Sequence, residues 1–153
     1  MNVPNEALLE QIIWALGNIA GDCAEMRDIV FSNKEVVDGV TYVLAHADSF
    51  LFNTVRTAAW CASNLTRAKP LPDLRRFESL LRHVIRVWAN WPAERTHGAR
   101  SRSDSSPSGP DASASADEVQ ADLCWTLSYP LDGPNEDIDL ILRWASELGK
   151  IVG

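Results

Sequence analysis

The stretch Trp14–Asp22, WALGNIAGD, is written again with edits at Trp60–Arg67, WCASNLTR, and at Trp125–Gly133, WTLSYPLDG. In each copy the Trp is followed four residues later by Asn18, Asn64 or Tyr129. A step of four puts both side chains on one face of a helix, one turn apart. Three copies of one helix-borne pair point to a repeat protein before any other motif is considered.

The residues around each copy support long helices. Asn5 can cap a helix through EALLEQIIWALGNIAG, whose apolar face is Leu8, Leu9, Ile12, Ile13, Ala15, Leu16 and Ile19. Gly21 and Asp22 mark its end, and its polar stripe is Gln11, Trp14, Asn18 and Asp22. The second long helix, FLFNTVRTAAWCASNLTR, carries Thr57, Trp60, Asn64 and Arg67 on its stripe and stops before Pro70 and Pro72. The third, DEVQADLCWTLSYPL, carries Glu118, Asp122, Trp125 and Tyr129 and ends at Pro130. A short helix from Ala24 to Phe31 and one from Lys34 to about His46 separate the first two copies. A short helix in Pro72–Ser79 and a longer one from Leu80 to about Trp91 follow the second copy. The final EDIDLILRWASELGKIVG reads as a short helix plus most of another. No segment sustains the period-two alternation of a strand.

Trp14 and Trp60 are 46 residues apart, within the range of about 40–47 for helical repeats. Trp60 and Trp125 are 65 apart. The excess matches ERTHGARSRSDSSPSGPDASASA, which is rich in Ser, Ala, Gly and Pro and nearly free of large apolar residues. Such a segment buries too little surface to offset its ordering entropy, so residues 93–116 read as a disordered insertion between helices. Its Arg and Ser residues would suit phosphorylation, but a solvated loop is the simpler reading.

The chain of 153 residues is 46% hydrophobic, enough for one compact domain. A net charge of -7 argues against a nucleic-acid partner and favours a basic one. Cys23, Cys61 and Cys124 lack CxxC spacing and read as reduced thiols of an intracellular protein. No apolar run is long enough for a bilayer, so no membrane partner is expected. The three histidines share no helix face with a suitable Cys or Ser, and neither a phosphate loop nor a metal-ligand spacing occurs. No enzyme activity and no cofactor or metal is expected.

A ladder of Trp and amide side chains has a specific chemistry. Neighbouring rungs of packed helices lie about 10 Å apart, and an extended peptide advances about 3.3 Å per residue with alternating sides. Indole walls suit long aliphatic stems that end in a cation. Asn amides offer a donor and an acceptor to a peptide backbone. Asp22, Glu118 and Asp122 add negative charge. The matching ligand is an extended Lys/Arg-rich peptide. One Trp–Asn pair alone would read as core packing; three copies on polar stripes favour binding. Trp88, Trp91 and Trp144, on helices of the other kind, read as packing residues, and Arg67 reads either as a favourable helix-end charge or as a residue orienting a cationic ligand.

EQIIWALGNIAGD with the following RDIV, AAWCASNLTR with the following KPLPD, and ADLCWTLSYPLDGPNEDI resemble importin-alpha, the armadillo-repeat adaptor of nuclear import. The resemblance covers most of the chain outside the insertion and is closest to the family's third to fifth repeats. It implies an all-α, right-handed armadillo solenoid of about three incomplete repeats, with the first two groove helices in residues 1–92 and the third in 117–153. It implies no catalysis, but binding of the basic nuclear localisation signal of cargo along a concave groove, by a protein of cytoplasm and nucleus. On this resemblance Gln11, Trp14, Asn18, Asp22, Trp60 and Asn64 match the major signal-binding site. Arg67, Glu118, Asp122, Trp125 and Tyr129 match groove positions between the major and minor sites. Thr57 stands where the family has Asn, Pro130 where it has Leu, and the insertion is atypical. Importin-beta would be a partner only through a basic N-terminal segment outside this sequence, and the lysine pocket at Asp22 would lack its preceding rung. The alternative expectation is a truncated importin-alpha-like interaction remnant without autonomous transport.

Overall fold

The computed structural model describes residues 5–91 and 116–152. The insertion expected over 93–116 lies outside these residues except for Ala116, which opens a helix. Among the described residues the ordered structure is helical. The helices are α1 (Glu6–Asp22), α2 (Ala24–Ser32), α3 (Lys34–Ala45), α4 (Phe52–Arg67), α5 (Glu78–Asn90), α6 (Ala116–Leu131) and α7 (Asn135–Val152).

Local chemistry sets several of the boundaries. The Asn5 side chain accepts the Leu8 N–H at 3.1 Å, the cap expected of α1, and the Asn33 side chain caps α3 by accepting the Glu35 N–H at 3.2 Å. Asp73 caps a 3-10 turn at Leu74–Phe77 by accepting from Arg75 N–H at 3.1 Å. That turn runs straight into α5, so the short helix expected over Pro72–Ser79 is one tight turn. The C-terminal segment is one helix and not a short helix plus part of another. Asn135–Leu148 contains no Gly, Pro or capping break, and Leu140, Ile141 and Trp144 keep a single helical seam. Pro130 lies inside α6, which continues for one residue beyond it.

The helices form two layers. The inner layer is α1, α4 and α6, with α4 packed between the other two. The outer layer is α2 with α3, then α5, then α7, each packed on its neighbours or on the inner helices. The core between them is built from Val40, Val43, Leu44, Val55, Leu65, Leu80, Leu81, Val84, Val119, Leu123 and Trp144, among others. Phe31 of α2 stacks on Phe77 at 3.9 Å between centroids, and Arg76 caps the pair 4.4 Å from the Phe31 ring. Helix α4, flanked on both sides, buries nearly its whole length. This is the stacking of an armadillo-type α-solenoid, in which each unit covers its neighbour's apolar face.

Two readings of apolar residues are corrected. In α1 the buried line is Ile13, Gly17 and Ala20, whereas Leu8, Ile12 and Ile19 are exposed. The expected face is wide, but among the described residues α1 packs mainly on α4 and α2 and presents the glycine-bearing side to α4. Trp91 and Trp144 are buried as packing residues, but Trp88 is 43% exposed on the outer layer.

Arg27 is the main polar element of the core. It is 1% exposed, and its guanidinium donates to the carbonyls of Ala68 and of Pro70, the latter at 2.8 Å. It also pairs with Asp28 at 2.8 Å. One α2 side chain thus holds the segment that leaves α4.

Candidate functional site

The three repeated stretches fall on the three inner helices, one on each. On α1, Gln11, Trp14, Asn18 and Asp22 are all exposed along one stripe, and the Asn18 amide donates to the Trp14 carbonyl at 3.0 Å. The Asn18 side chain is therefore held by its own helix, and Trp14 is 54% exposed.

On α4 the pair is seated in the protein. The Trp60 ring lies over Gly17, where an added Cβ would overlap the indole and come within 3.0 Å of Cε3. The Asn64 amide lies over Gly21, 3.1–3.2 Å from where a Cβ would stand, and it donates to the Gly17 carbonyl at 3.1 Å. Gly17 and Gly21, one helical turn apart, form a shallow floor that lets α4 place its Trp and Asn against the backbone of α1. Asn64 is accordingly 4% exposed, and one of its two N–H donors serves the fold. Arg67 donates to the Gly21 carbonyl at 2.7 Å and so satisfies the end of α1, not that of its own helix.

On α6, Glu118 is exposed, Asp122 is half-buried, and Trp125 is 54% exposed. Trp125 stacks on Tyr129 with 5.7 Å between centroids and 23° between planes, as expected for rings one turn apart.

A cavity of about 450 Å³ joins the three helices. It is lined by Trp14, Arg56, Thr57, Trp60, Glu118, Ala121, Asp122 and Trp125. Residues spaced 46 and 65 apart in the sequence thus put three indoles and two carboxylates around one space. Gln11, Asn18 and Asp22 continue the α1 stripe outside this lining, Asn64 and Arg67 face α1, and Tyr129 lies one turn beyond Trp125.

The sequence reading missed two lining residues, Ala121 and the charged Arg56. Its Nη1 pairs with Glu118 Oε2 at 3.1 Å, bridging α4 and α6. The signal was present, since Arg56 stands four residues before Trp60 and so one turn along the same face.

Burial pushes the Asp122 carboxyl up to about 6, with Arg56 opposing and Glu118 adding to the rise. In the protein alone the proton is therefore held more tightly than on a free carboxylate. A cation in the cavity favours the charged form and expels that proton. Any cation that the cavity holds should therefore bind several-fold more tightly at pH 7.5 than at pH 5, as Asp122 ionises through about pH 6. Titrations across this range should lose that slope in Asp122→Asn; an unchanged slope would remove Asp122 from the site.

Stacked helical units that share a face of indoles, amides and carboxylates define a solenoid with a polar, aromatic inner layer. The sequence relatives agree. The chain is 28% identical over 143 residues to importin subunit alpha-1b of Oryza sativa subsp. japonica, which covers 94% of this chain and 22% of that protein. It is 29% identical over 134 residues to importin subunit alpha-2 of Arabidopsis thaliana, covering 88% and 20%. It is 31% identical over 135 residues to importin subunit alpha-2 of Caenorhabditis elegans, covering 86% and 20%. Over most of its length the chain is similar to importin-alpha subunits, and it spans about a fifth of the length of these relatives. No family model matches it.

Proposed function

We propose that this chain binds the basic nuclear localisation signals of cargo proteins, held extended across α1, α4 and α6, and serves nuclear import between cytoplasm and nucleus. The observation that carries this reading is the joint lining of one cavity by Trp14, Trp60 and Trp125 with Glu118 and Asp122. The methylene stems of Lys or Arg lie between the indoles, and their charged ends meet the carboxylates. Gln11 and the second N–H of Asn18 are the exposed donors available to the peptide backbone, and Asp22 extends the acidic edge along α1. Tyr129 backs Trp125 by stacking on it, and Arg67 fixes the end of α1 and limits how many cations fit there. The role is recognition, not chemistry.

Trp125→Ala gives the cleanest test. The ring is half-exposed and stacks on Tyr129, so its loss leaves the core intact. Tryptophan fluorescence titration with a Lys-rich peptide should show saturable binding that weakens with salt. The variant should bind about 5- to 30-fold more weakly, the loss of one cation–π wall of about 1–2 kcal/mol. Equal affinity of variant and parent would contradict the groove.

A further inference from the structure

We propose that Arg56 is a specificity-determining residue of the groove, an internal cation that competes with the ligand's own cation for Glu118. This inference rests on the groove reading above. Arg56 projects from the turn of α4 that precedes Trp60 and pairs with Glu118 Oε2 at 3.1 Å across the cavity. The two side chains are 41% and 49% exposed, so the pair is solvated and easily exchanged.

The charges lining the cavity are Arg56, Glu118 and Asp122. With Arg56 in place, one of the two carboxylates is already neutralised. A lysine arriving between Trp60 and Trp125 finds a free partner in Asp122, and it reaches Glu118 only by displacing a guanidinium. A guanidinium is the stronger occupant, because its fork and delocalised charge suit a carboxylate better than an ammonium does. The cavity therefore accepts one cation readily and resists a second. By contrast, the exposed α1 stripe of Gln11, Trp14, Asn18 and Asp22 carries no basic side chain of its own, and Arg67 of α4 reaches only its far end at Gly21. Selectivity for Lys is therefore relaxed where α4 faces α6.

The test is a double-mutant cycle on the full chain with heptalysine as the probe, read by tryptophan fluorescence at low salt. Arg56→Gln should tighten heptalysine binding about three- to tenfold, as expected for release of one solvated carboxylate. Glu118→Gln should weaken binding, and the gain from Arg56→Gln should vanish in the Glu118→Gln background. Far-UV circular dichroism establishes that the variants keep the helical fold, as half-exposed positions allow. Saturable binding to the parent chain with no gain on Arg56→Gln overturns the assignment of Arg56 alone. A gain that persists in the Glu118→Gln background also overturns it, because it reduces Arg56 to a general surface charge. No saturable response from the parent or any variant overturns the groove reading itself, and this proposal with it.

Discussion

Gly17→Ala lowers the stability of the fold by about 1–3 kcal/mol, although replacing glycine inside a helix ordinarily raises it by up to about 1 kcal/mol. The sign reverses because of Trp60. An added Cβ at Gly17 overlaps the indole ring, and no flexible end of a side chain is there to give way. The ring must shift or α4 must lift from α1. Either movement also strains the Asn64 amide, which is bonded to the Gly17 carbonyl at 3.1 Å. Gly39→Ala is the matched control. Gly39 lies inside α3, and a Cβ there meets nothing within 4 Å, so this variant gains about 0.5–1 kcal/mol. Urea unfolding followed by circular dichroism separates the two. Stabilisation by both substitutions would mean that Trp60 does not rest on α1 as described.

Arg27→Met is expected to cost about 2–4 kcal/mol. The thioether replaces the volume of the aliphatic stem but none of the donors. Hydrogen bonds made by a charged donor contribute about 1.5–3 kcal/mol each where they are buried. Arg27 makes such bonds to the carbonyls of Ala68 and Pro70, at the exit of α4, and it is 1% exposed. The range allows for water reaching the two freed carbonyls, since Pro70 is exposed and Ala68 half-buried. Thermal unfolding measures the loss, and hydrogen exchange of the last turn of α4 should rise with it. A variant of parental stability would show that packing alone holds this segment.

The inner-layer helices were legible because their signals are local. Asn5 is a cap that needs only its own first turn. The step of four from Trp14 to Asn18 fixes a shared face whatever surrounds it. Which neighbour covers a face is not local. Leu8, Ile12 and Ile19 have the periodicity of a core stripe, yet the core side of α1 is the narrower line through Ile13, Gly17 and Ala20. Gly21 reads as a helix stop, and Gly17 carries no signal of its own. Only the position of α4 shows them to be the surface on which Trp60 and Asn64 rest. The same holds for Asn64, whose stripe position predicts an open face but whose amide reaches α1. Arg56 and Glu118 are 62 residues apart, and their pairing depends on α4 and α6 being neighbours. Arg27 gave no signal, since a charged residue in a short helix reads as solvated until its carbonyl partners are in place.

The central claim is that an extended basic peptide runs past the three indoles of the inner layer. Isotope-edited NOE spectra of the chain with a Lys-rich peptide test it most directly. The account predicts contacts from the indole protons of Trp14, Trp60 and Trp125 to lysine methylene protons at alternating peptide positions. Contacts confined to Trp88 on the outer layer, or none to the three inner indoles at saturation, would contradict it.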